Sequence, residues 1–222
     1  MKNLILVMIP GAALTACSMS AEPASNPRAP VLFQQIAELC GQAFEGRVTS
    51  DDPRDAEWVE QRLVMHVREC SDNEIRIPLH VGDDRSRTWV ISIQSGVLSE
   101  PVDASALRDG ARLTCSEDCE VRWLRLKHDH RHEDGSEDVL TQYGGDAALI
   151  GADRYRVDFP ADDFSRILFE QEGISASMEN TWSITATGSS FTYALDRPGR
   201  HFSAEFDLTV PVDLPPPPWG AE

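Results

Sequence analysis

The sequence predicts a mainly β protein that consists of a single antiparallel meander, closed as an up-and-down barrel, with a two-sheet sandwich as the alternative. Three observations support this fold class. Apolar and polar residues alternate in many short segments, which gives each strand one apolar face. Turn sequences rich in Gly, Asp, Ser or Pro separate these segments. Only two short segments have helical spacing, and strands that follow one another in sequence usually pair.

The alternating segments define the predicted strands. They lie at 63–67, 75–81, 89–93, 124–132, 139–143, 155–159, 182–186, 191–195 and 202–208. Pro78 favours an edge position or a bulge, because proline cannot donate to the strand ladder. His66 and His80 lie on the polar faces of their strands, so we expect both to be exposed to solvent.

Helical spacing predicts two short helices. In the first, Leu32, Phe33, Ile36, Leu39, Cys40 and Phe44 recur at helical intervals, and Gly41 is a plausible stop. The second follows Pro160. Asp162 and Asp163 suit its N-terminus, Phe164, Ile167 and Leu168 form its apolar stripe, and Gly173 suits its end.

These elements predict one β-rich domain over residues 31–212. The regular spacing breaks at about 94–122, which we interpret as an excursion, in the form of a hairpin, inserted between two neighbouring core strands. Residues 213–222 form a proline-rich tail with no core to join.

The first residues have the pattern of a bacterial export signal. Lys2 is a short basic region, the following residues to Leu14 are mostly apolar, and the sequence Leu14-Thr15-Ala16-Cys17 ends the segment. This sequence resembles the lipobox of bacterial lipoproteins. The resemblance implies a signal peptide at 1–16, cleavage before Cys17, and lipidation of the Cys17 thiol and its new amino group. The alternative is a simple secretory signal with a free Cys17.

The resemblance also implies a location. Residue 18 is Ser rather than Asp, which by the sorting pattern of Gram-negative lipoproteins favours the outer membrane. The domain would then face the periplasm, with the cell surface as the alternative. Residues 17–30 are rich in Ser, Ala and Pro and predict a flexible tether.

The charge of the chain excludes two kinds of partner. The formal net charge is −17 at pH 7, so the surface will not bind nucleic acid through phosphate contacts. The same charge opposes binding to anionic headgroups, so membrane association depends on the lipid at Cys17. We interpret the acidity as a solubility feature. The sequence identifies no protein partner.

Five cysteines predict disulfides once Cys17 is assigned to the lipid. The remaining four allow three connectivities, and an oxidising periplasm favours pairing. Cys115 and Cys119 are close enough for a local bridge, which leaves Cys40 to pair with Cys70. The competing interpretation is a thiolate metal site at Cys115 and Cys119.

The predicted strand at 124–132 carries the best candidate site. His128, His130 and His132 occupy alternate positions on the face that also carries Leu124 and Leu126. The opposite face is largely charged, so we expect all three imidazoles to point inward at the polar end of the core. A β-bulge near His128 would turn His130 and His132 outward.

Imidazole and carboxylate groups together predict a site for a divalent transition metal or a small ligand. Carboxylates that could complete it are Glu133, Asp134, Asp83 and Asp84. Zinc, iron, copper, nickel and manganese all suit such ligands. The alternative is that the histidines bond to neighbouring Asp and Glu residues and form no site.

More specific catalytic and metal-binding motifs do not fit the sequence. The sequence from His130 to Asp134 matches the His-x-His-x-Asp start of metallo-β-lactamase-like hydrolases, but their alternating β/α units are not visible. An EF-hand loop ending near Gly135 would require oxygen ligands at His130 and His132. Gly-x-Ser-x-Gly and glycine-rich phosphate loops are absent from the sequence.

Five segments of the predicted domain carry a second resemblance. They are Leu-Val-Met-His-Val-Arg (63–68), Ile-Pro-Leu-His-Val-Gly-Asp-Asp-Arg-Ser-Arg-Thr-Trp (77–89), Lys-His-Asp-His-Arg-His-Glu-Asp-Gly-Ser-Glu-Asp (127–138), Thr-Gln-Tyr-Gly-Gly (141–145) and Arg-His-Phe-Ser-Ala-Glu-Phe-Asp-Leu (200–208). They resemble a group of uncharacterised secreted proteobacterial proteins. The resemblance covers most of the chain after the signal segment and implies no activity. In that group the strand before Lys127 follows the residue equivalent to Ile93 more directly. The excursion at about 94–122 is therefore a difference between this chain and the group.

Three functional hypotheses follow from the sequence. The first is an outer-membrane-anchored binding module that holds a metal or small ligand at the histidine strand. The second is a metal-dependent hydrolase that uses the same residues, which would require an open coordination position and a general base. The third is an envelope structural protein with no site. The sequence favours a binding role over catalysis.

Replacing Cys17 with Ser should prevent lipidation, because serine has no thiol to acylate. We expect the variant to be soluble or unprocessed, whereas the parent chain should fractionate with the outer membrane. Membrane fractionation and mass analysis of the N-terminal peptide test this. A Cys17→Ser variant that still fractionates with the outer membrane would show that the lipobox interpretation is wrong.

Overall fold

The structure is a computed structural model that describes residues 29–97, 107, 109–115, 119–148 and 155–221. The predicted signal peptide, the predicted lipidation site Cys17 and most of the predicted tether lie outside the described residues. The side chains of Cys115 and Cys119 also lie outside them, and so does the predicted bridge. Among the described residues, no helix is both long enough and apolar enough to cross a membrane.

Most of the described elements are strands, and the few helices are short. Within the described residues the helices are α1 (Val31–Ala37), α2 (Ala56–Val59) and α3 (Asp163–Gln171), with 3-10 turns at Pro53–Asp55 and Ser175–Glu179. The strands are β1 (Ala43–Val48), β2 (Leu63–His66), β3 (Glu69–Cys70), β4 (Glu74–Val81), β5 (Asp84–Val97), β6 (Ala111–Cys115), β7 (Cys119–His130), β8 (Tyr143–Asp146), β9 (Arg156–Pro160), β10 (Thr181–Ala186), β11 (Ser190–Arg197) and β12 (Arg200–Val212). α2 was not predicted.

The predicted fold class is confirmed, because the strands form one curled antiparallel sheet with the shape of a half-barrel. The order is β6-β7-β5-β4-β2-β1-β12-β11-β10-β9, with β3 on β4 and β8 on β7. Sequential strands are mostly neighbours, and β1 pairs with β12. The sheet edges also approach each other, since Ala148 N–H donates to the Asp158 carbonyl (2.8 Å) and Asp162 N–H donates to that of Gly144 (2.9 Å).

The concave face of the sheet holds the hydrophobic core. The largest fully buried side chains include aromatic residues from β1, β9, β10, β11 and β12, namely Phe44, Phe159, Trp182, Phe191 and Phe206. Leu124 and Leu126 of β7 are fully buried in the same cluster. Burial of this apolar area is the main favourable term in the stability of such a domain.

The predicted excursion is shorter than 94–122. β5 continues to Val97 and β7 begins at Cys119, and the two pair directly as far as Val97 opposite Glu120. β6 then pairs with the outer side of β7, where Cys115 and Cys119 occupy facing backbone positions. The irregular composition of residues 94–122 predicted a break in the strand pattern. Backbone hydrogen bonds between β5 and β7 do not require alternating apolar residues, so the two strands continue into this segment.

The predicted disulfide between Cys40 and Cys70 is present and ties the end of α1 to β3. α1 ends before Gly41, whose φ of +81° suits a helix stop. The bridge joins residues 30 positions apart, and closing a loop of that length removes about 3–4 kcal/mol of unfolded-state entropy in the loop-closure model.

The second predicted helix is present as α3, but its predicted apolar stripe is wrong. Phe164 and Ile167 are 52% and 54% exposed, whereas Ser165 and Phe169 are buried. Asp162 caps the helix by accepting from Ser165 N–H (2.9 Å) and also binds Lys127 of β7. These contacts set the rotation of the helix, so that Phe169 faces the interior.

The exposure predicted for His66 and His80 is also wrong, since they are 8% and 4% exposed. The C-terminal segment lies over the outer face of the sheet, where the backbone N–H of Trp219 donates to the Arg85 carbonyl (3.1 Å). Together with His80 it lines a surface cavity of about 1040 Å³. The proline-rich tail therefore joins the domain through the convex face of the sheet.

Two glycines allow β8 to fit between β7 and β9. A Cβ at Gly145 would lie 1.8 Å from the Pro160 carbonyl oxygen, and one at Gly144 would lie 1.9 Å from that of Leu126. Contacts with backbone oxygens at these distances are not possible without moving a strand. The Gly-Gly pair is therefore what brings Tyr143, the first residue of β8, against β7.

We expect Gly145→Ala to destabilise the domain by about 1–3 kcal/mol, the usual cost of overpacking. Gly188→Ala is the matched control, because a Cβ there would meet no atom within 4 Å. Urea denaturation of both variants measures the effect. Equal midpoints for the two variants would contradict the close approach of β8 and β9.

Candidate functional site

The half-barrel encloses an interior cavity of about 390 Å³ that the inward-facing histidines line. Its floor is made of residues from the strands, and its mouth lies among the 3-10 turns, α2 and the turn before β8. Mouth residues such as Arg54 and Ile174 are exposed, so the cavity opens to solvent there. The site is therefore a concave pocket at one end of the core.

Aromatic rings form the floor of the cavity. The His128 imidazole stacks on Tyr143 with centroids 4.6 Å apart, and the Trp182 ring lies 5.0 Å from it. Trp89 stacks on Tyr193 at 4.5 Å. Their rings come from β5, β7, β8, β10 and β11, so distant parts of the chain together provide flat apolar surfaces.

Hydrogen bonds fix the state of His128, which is 3% exposed. Nδ1 lies 3.1 Å from the Tyr143 carbonyl oxygen, which can only accept, so Nδ1 carries the hydrogen. Nε2 then accepts from the Tyr193 hydroxyl at 2.8 Å. Burial lowers the pKa of His128 to about 3 and raises that of Tyr193, so both groups are uncharged at neutral pH.

His130 lies closer to the mouth and is half-buried. Its Nε2 is 3.2 Å from the Tyr143 hydroxyl, and its backbone N–H donates to Thr141 Oγ1 at 2.8 Å. Burial, followed by the positive charge of Arg87, lowers the pKa of His130 to about 4. His130 is therefore a neutral hydrogen-bonding group and a weak base.

The third predicted histidine does not join the site. β7 ends at His130, and His132 is exposed in the turn that follows, where its N–H donates to the Ser136 carbonyl. The period-two argument correctly placed His128 and His130 on the inner face, but it required the strand to continue through His132. The Arg131–Glu137 bridge instead begins a tight reversal.

The predicted carboxylates are also dispersed. Asp83 and Glu133 line the outer cavity beneath the C-terminal segment. Asp134 accepts from Ser136 in the turn, and Asp84 pairs with Arg87. Among the described residues, no group of three or more His, Cys, Asp or Glu side chains is placed to share a metal ion. Both ring nitrogens of His128 are already hydrogen-bonded.

The mouth is polar and contains three arginines. Arg54 and Arg200 bind Asp52 and Asp55, and Arg200 contacts Asp55 with two nitrogens. The third, Arg87, pairs with Asp84 and places its guanidinium 5.1 Å from the centre of the Trp58 ring. The cavity thus has an uncharged floor and a charged rim.

Much of this site was not predicted from sequence. Trp89, Trp182 and Tyr193 lie within predicted strands, but no local pattern indicates that their rings meet around His128. The turn residue Asp138 and the mouth residue Arg87 were also missed. The available signal for the site is the inward-facing imidazole of His128 in a chain whose strands carry aromatic residues. A buried imidazole requires hydrogen-bond partners, so polar groups are expected around it.

No protein-family model, no curated protein and no solved structure matches the chain.

The site should make stability depend on pH. The pKa values of His128 and His130 in the folded state, about 3 and about 4, are below the unfolded value of about 6.5. The unfolded chain therefore binds more protons in this range. The stabilising contribution is fully present above pH 6.5 and is lost as the pH falls towards the folded pKa values.

We expect His128→Gln to show a smaller decrease in urea midpoint between pH 6.5 and pH 4 than the parent protein. His132→Gln is the control, because His132 is exposed in the neighbouring turn. Its midpoint should follow the parent curve. A His128→Gln curve parallel to that of the parent would mean that His128 is not a buried neutral group.

Proposed function

We propose that this protein is a lipid-anchored binding module of the bacterial envelope that holds a small, flat, largely apolar molecule. The observation that carries the proposal is the interior cavity with its aromatic floor and polar mouth. Small-molecule sites are typically concave, mostly apolar and supplied with a few polar groups that orient the ligand. This cavity has each of these properties.

The size of the cavity supports a small ligand. Its volume of about 390 Å³ lies at the lower end of the range of about 300–1,000 Å³ that is usual for such sites. A flat molecule could stack against Trp182 and Tyr193, because aromatic rings favour offset or edge contacts with one another. The half-barrel would enclose the body of the ligand and leave one end at the mouth.

The polar groups of the floor support binding rather than acid–base chemistry. The Tyr193 hydroxyl and both nitrogens of His128 are engaged with each other or with the backbone. His130 has a pKa of about 4, well below the range near neutral pH in which a general base is most effective. These features favour a carrier or binding module over the metal-dependent hydrolase considered from the sequence.

A metal ion is not part of the proposal. His128 and His130 face the cavity, but the ring nitrogens of His128 are occupied. Asp83, Glu133 and Asp134 lie outside the cavity, and Asp84 is paired with Arg87. Both imidazoles instead offer aromatic surface, and His130 also offers a hydrogen-bonding edge. We propose that the imidazoles of His128 and His130 contact an organic ligand.

The proposed location rests on the sequence. Leu14-Thr15-Ala16-Cys17 supports attachment to a membrane through lipid, and Ser18 supports the outer membrane. The Cys40–Cys70 disulfide is consistent with an oxidising compartment. A tethered module with an enclosed cavity would hold its ligand next to the membrane.

The uncharged fluorescent probe N-phenylnaphthylamine tests the proposed cavity. We expect it to bind the domain, and we expect Leu140→Trp to weaken binding by about tenfold, because a larger side chain at the cavity wall removes volume needed by the probe. Val139→Trp is the matched control, since Val139 is 64% exposed.

Titration of probe emission against protein concentration gives the three dissociation constants. The Val139→Trp value should stay within about twofold of the parent, which corresponds to less than about 0.5 kcal/mol. If the probe does not bind, or if both variants weaken it equally, the cavity is not the binding site. Urea midpoints confirm that both variants are folded.

A further inference from the structure

We propose that the cavity selects ligands that carry one anionic group beside a flat apolar body, and that Arg87 binds this group at the mouth. The inference rests on the proposed function and adds the chemical class of the ligand. The class comprises aromatic carboxylates and sulfonates.

The position of Arg87 supports this role. It lies on β5 two residues before Trp89, and its side chain is 29% exposed and lines the cavity. The guanidinium packs over Trp58, which limits its freedom and holds it at the mouth. A ligand whose body rests on the floor would therefore place its outer end near this charge.

Arg87 also retains hydrogen-bond donors. Its Nη1 contacts Asp84, and among the described residues no hydrogen-bond partner is found for its Nε and Nη2. These two nitrogens form one edge of the guanidinium plane, which suits bidentate binding of a carboxylate or sulfonate. The geometry leaves this edge available for a planar anion.

The other two arginines at the mouth are more fully committed. Arg200 contacts Asp55 with both terminal nitrogens and donates to the His201 carbonyl (2.7 Å). Arg54 binds Asp52 with Nε and Nη2, and Nη2 also donates to the Gly199 carbonyl. Among the described residues of the mouth, Arg87 is therefore the arginine whose Nε and Nη2 edge is left for a ligand.

Polar groups inside the cavity respond to the charge of Arg87. Its positive charge lowers the pKa values of His130 and Tyr143. Asp138 opposes this effect at both groups, and Asp129 and Asp84 also oppose it at His130. The charge of Arg87 also acts on Tyr193. The Arg87 charge therefore acts on the groups at the inner end of the mouth, although the chain as a whole has a net charge of −17.

Charge on the rim limits the ligand to a single anionic group. Asp84 pairs with Arg87, and Asp138 lines the same cavity. A second negative charge on the ligand would be repelled by these carboxylates once Arg87 has neutralised the first. A monoanion can replace water at the free edge of Arg87 while Asp84 remains bound. The acidic surface elsewhere would disfavour nonspecific binding of anions and so increases selectivity for this site.

Two matched probes test the inference. N-phenylnaphthylamine is uncharged, and anilinonaphthalene sulfonate has the same ring system with one added sulfonate. We expect Arg87→Gln to weaken binding of the sulfonate by about tenfold while changing binding of the uncharged probe by less than about twofold. Arg47→Gln is the control, because Arg47 is 77% exposed on β1 and does not line the cavity.

The outcomes separate the two proposals. If the uncharged probe binds but Arg87→Gln weakens both probes equally or neither, the inference is wrong and the proposed function stands. If the uncharged probe does not bind the parent protein, the proposed function fails. Should Arg87→Gln prove unfolded, added salt in the parent protein decides, because only sulfonate binding should weaken as salt screens the Arg87 charge.

Discussion

The neutral imidazole of His128 is the constraint on which the interior of the half-barrel depends. Leaving a buried polar group without a partner costs about 1–3 kcal/mol, and His128 avoids this cost by binding the Tyr143 carbonyl and the Tyr193 hydroxyl. The first bond joins β7 to its neighbour β8, and the second joins it to β11, which is not its neighbour in the sheet. The protonation state of His128 and the spacing of these strands are therefore set together.

The interior cavity depends on the same contacts between His128, Tyr143 and Tyr193. Large rings from several strands meet around His128 and stack on one another, so the space between them is bounded by rigid surfaces rather than by flexible side chains. Gly144 and Gly145 allow β8 to approach β7 and β9 closely, which places Tyr143 in this group. Because the floor is uncharged, the charged groups of the site are confined to the mouth, where Arg87 retains a free edge.

Local patterns predicted a large part of the fold. Alternation identified β2, β4, β5, β7 and the strands from β9 to β12, since the side-chain period of two is a property of any half-buried strand. It also placed His128 and His130 inward. It could not indicate that the strand stops before His132, because a turn is set by its own hydrogen bonds. It likewise missed the rotation of α3, which depends on Asp162 and its contact with Lys127.

The sequence by itself determined the β class, the strand faces and the inward direction of two histidines, because each depends on short-range periodicity. It favoured the Cys40–Cys70 pairing among three connectivities, and the structure decided it. Only the tertiary structure decided that Tyr193, Trp182 and Trp89 surround His128, and that the C-terminal segment covers His80. These contacts join residues far apart in the chain. They depend on how the whole sheet curls, and no local pattern encodes that curvature.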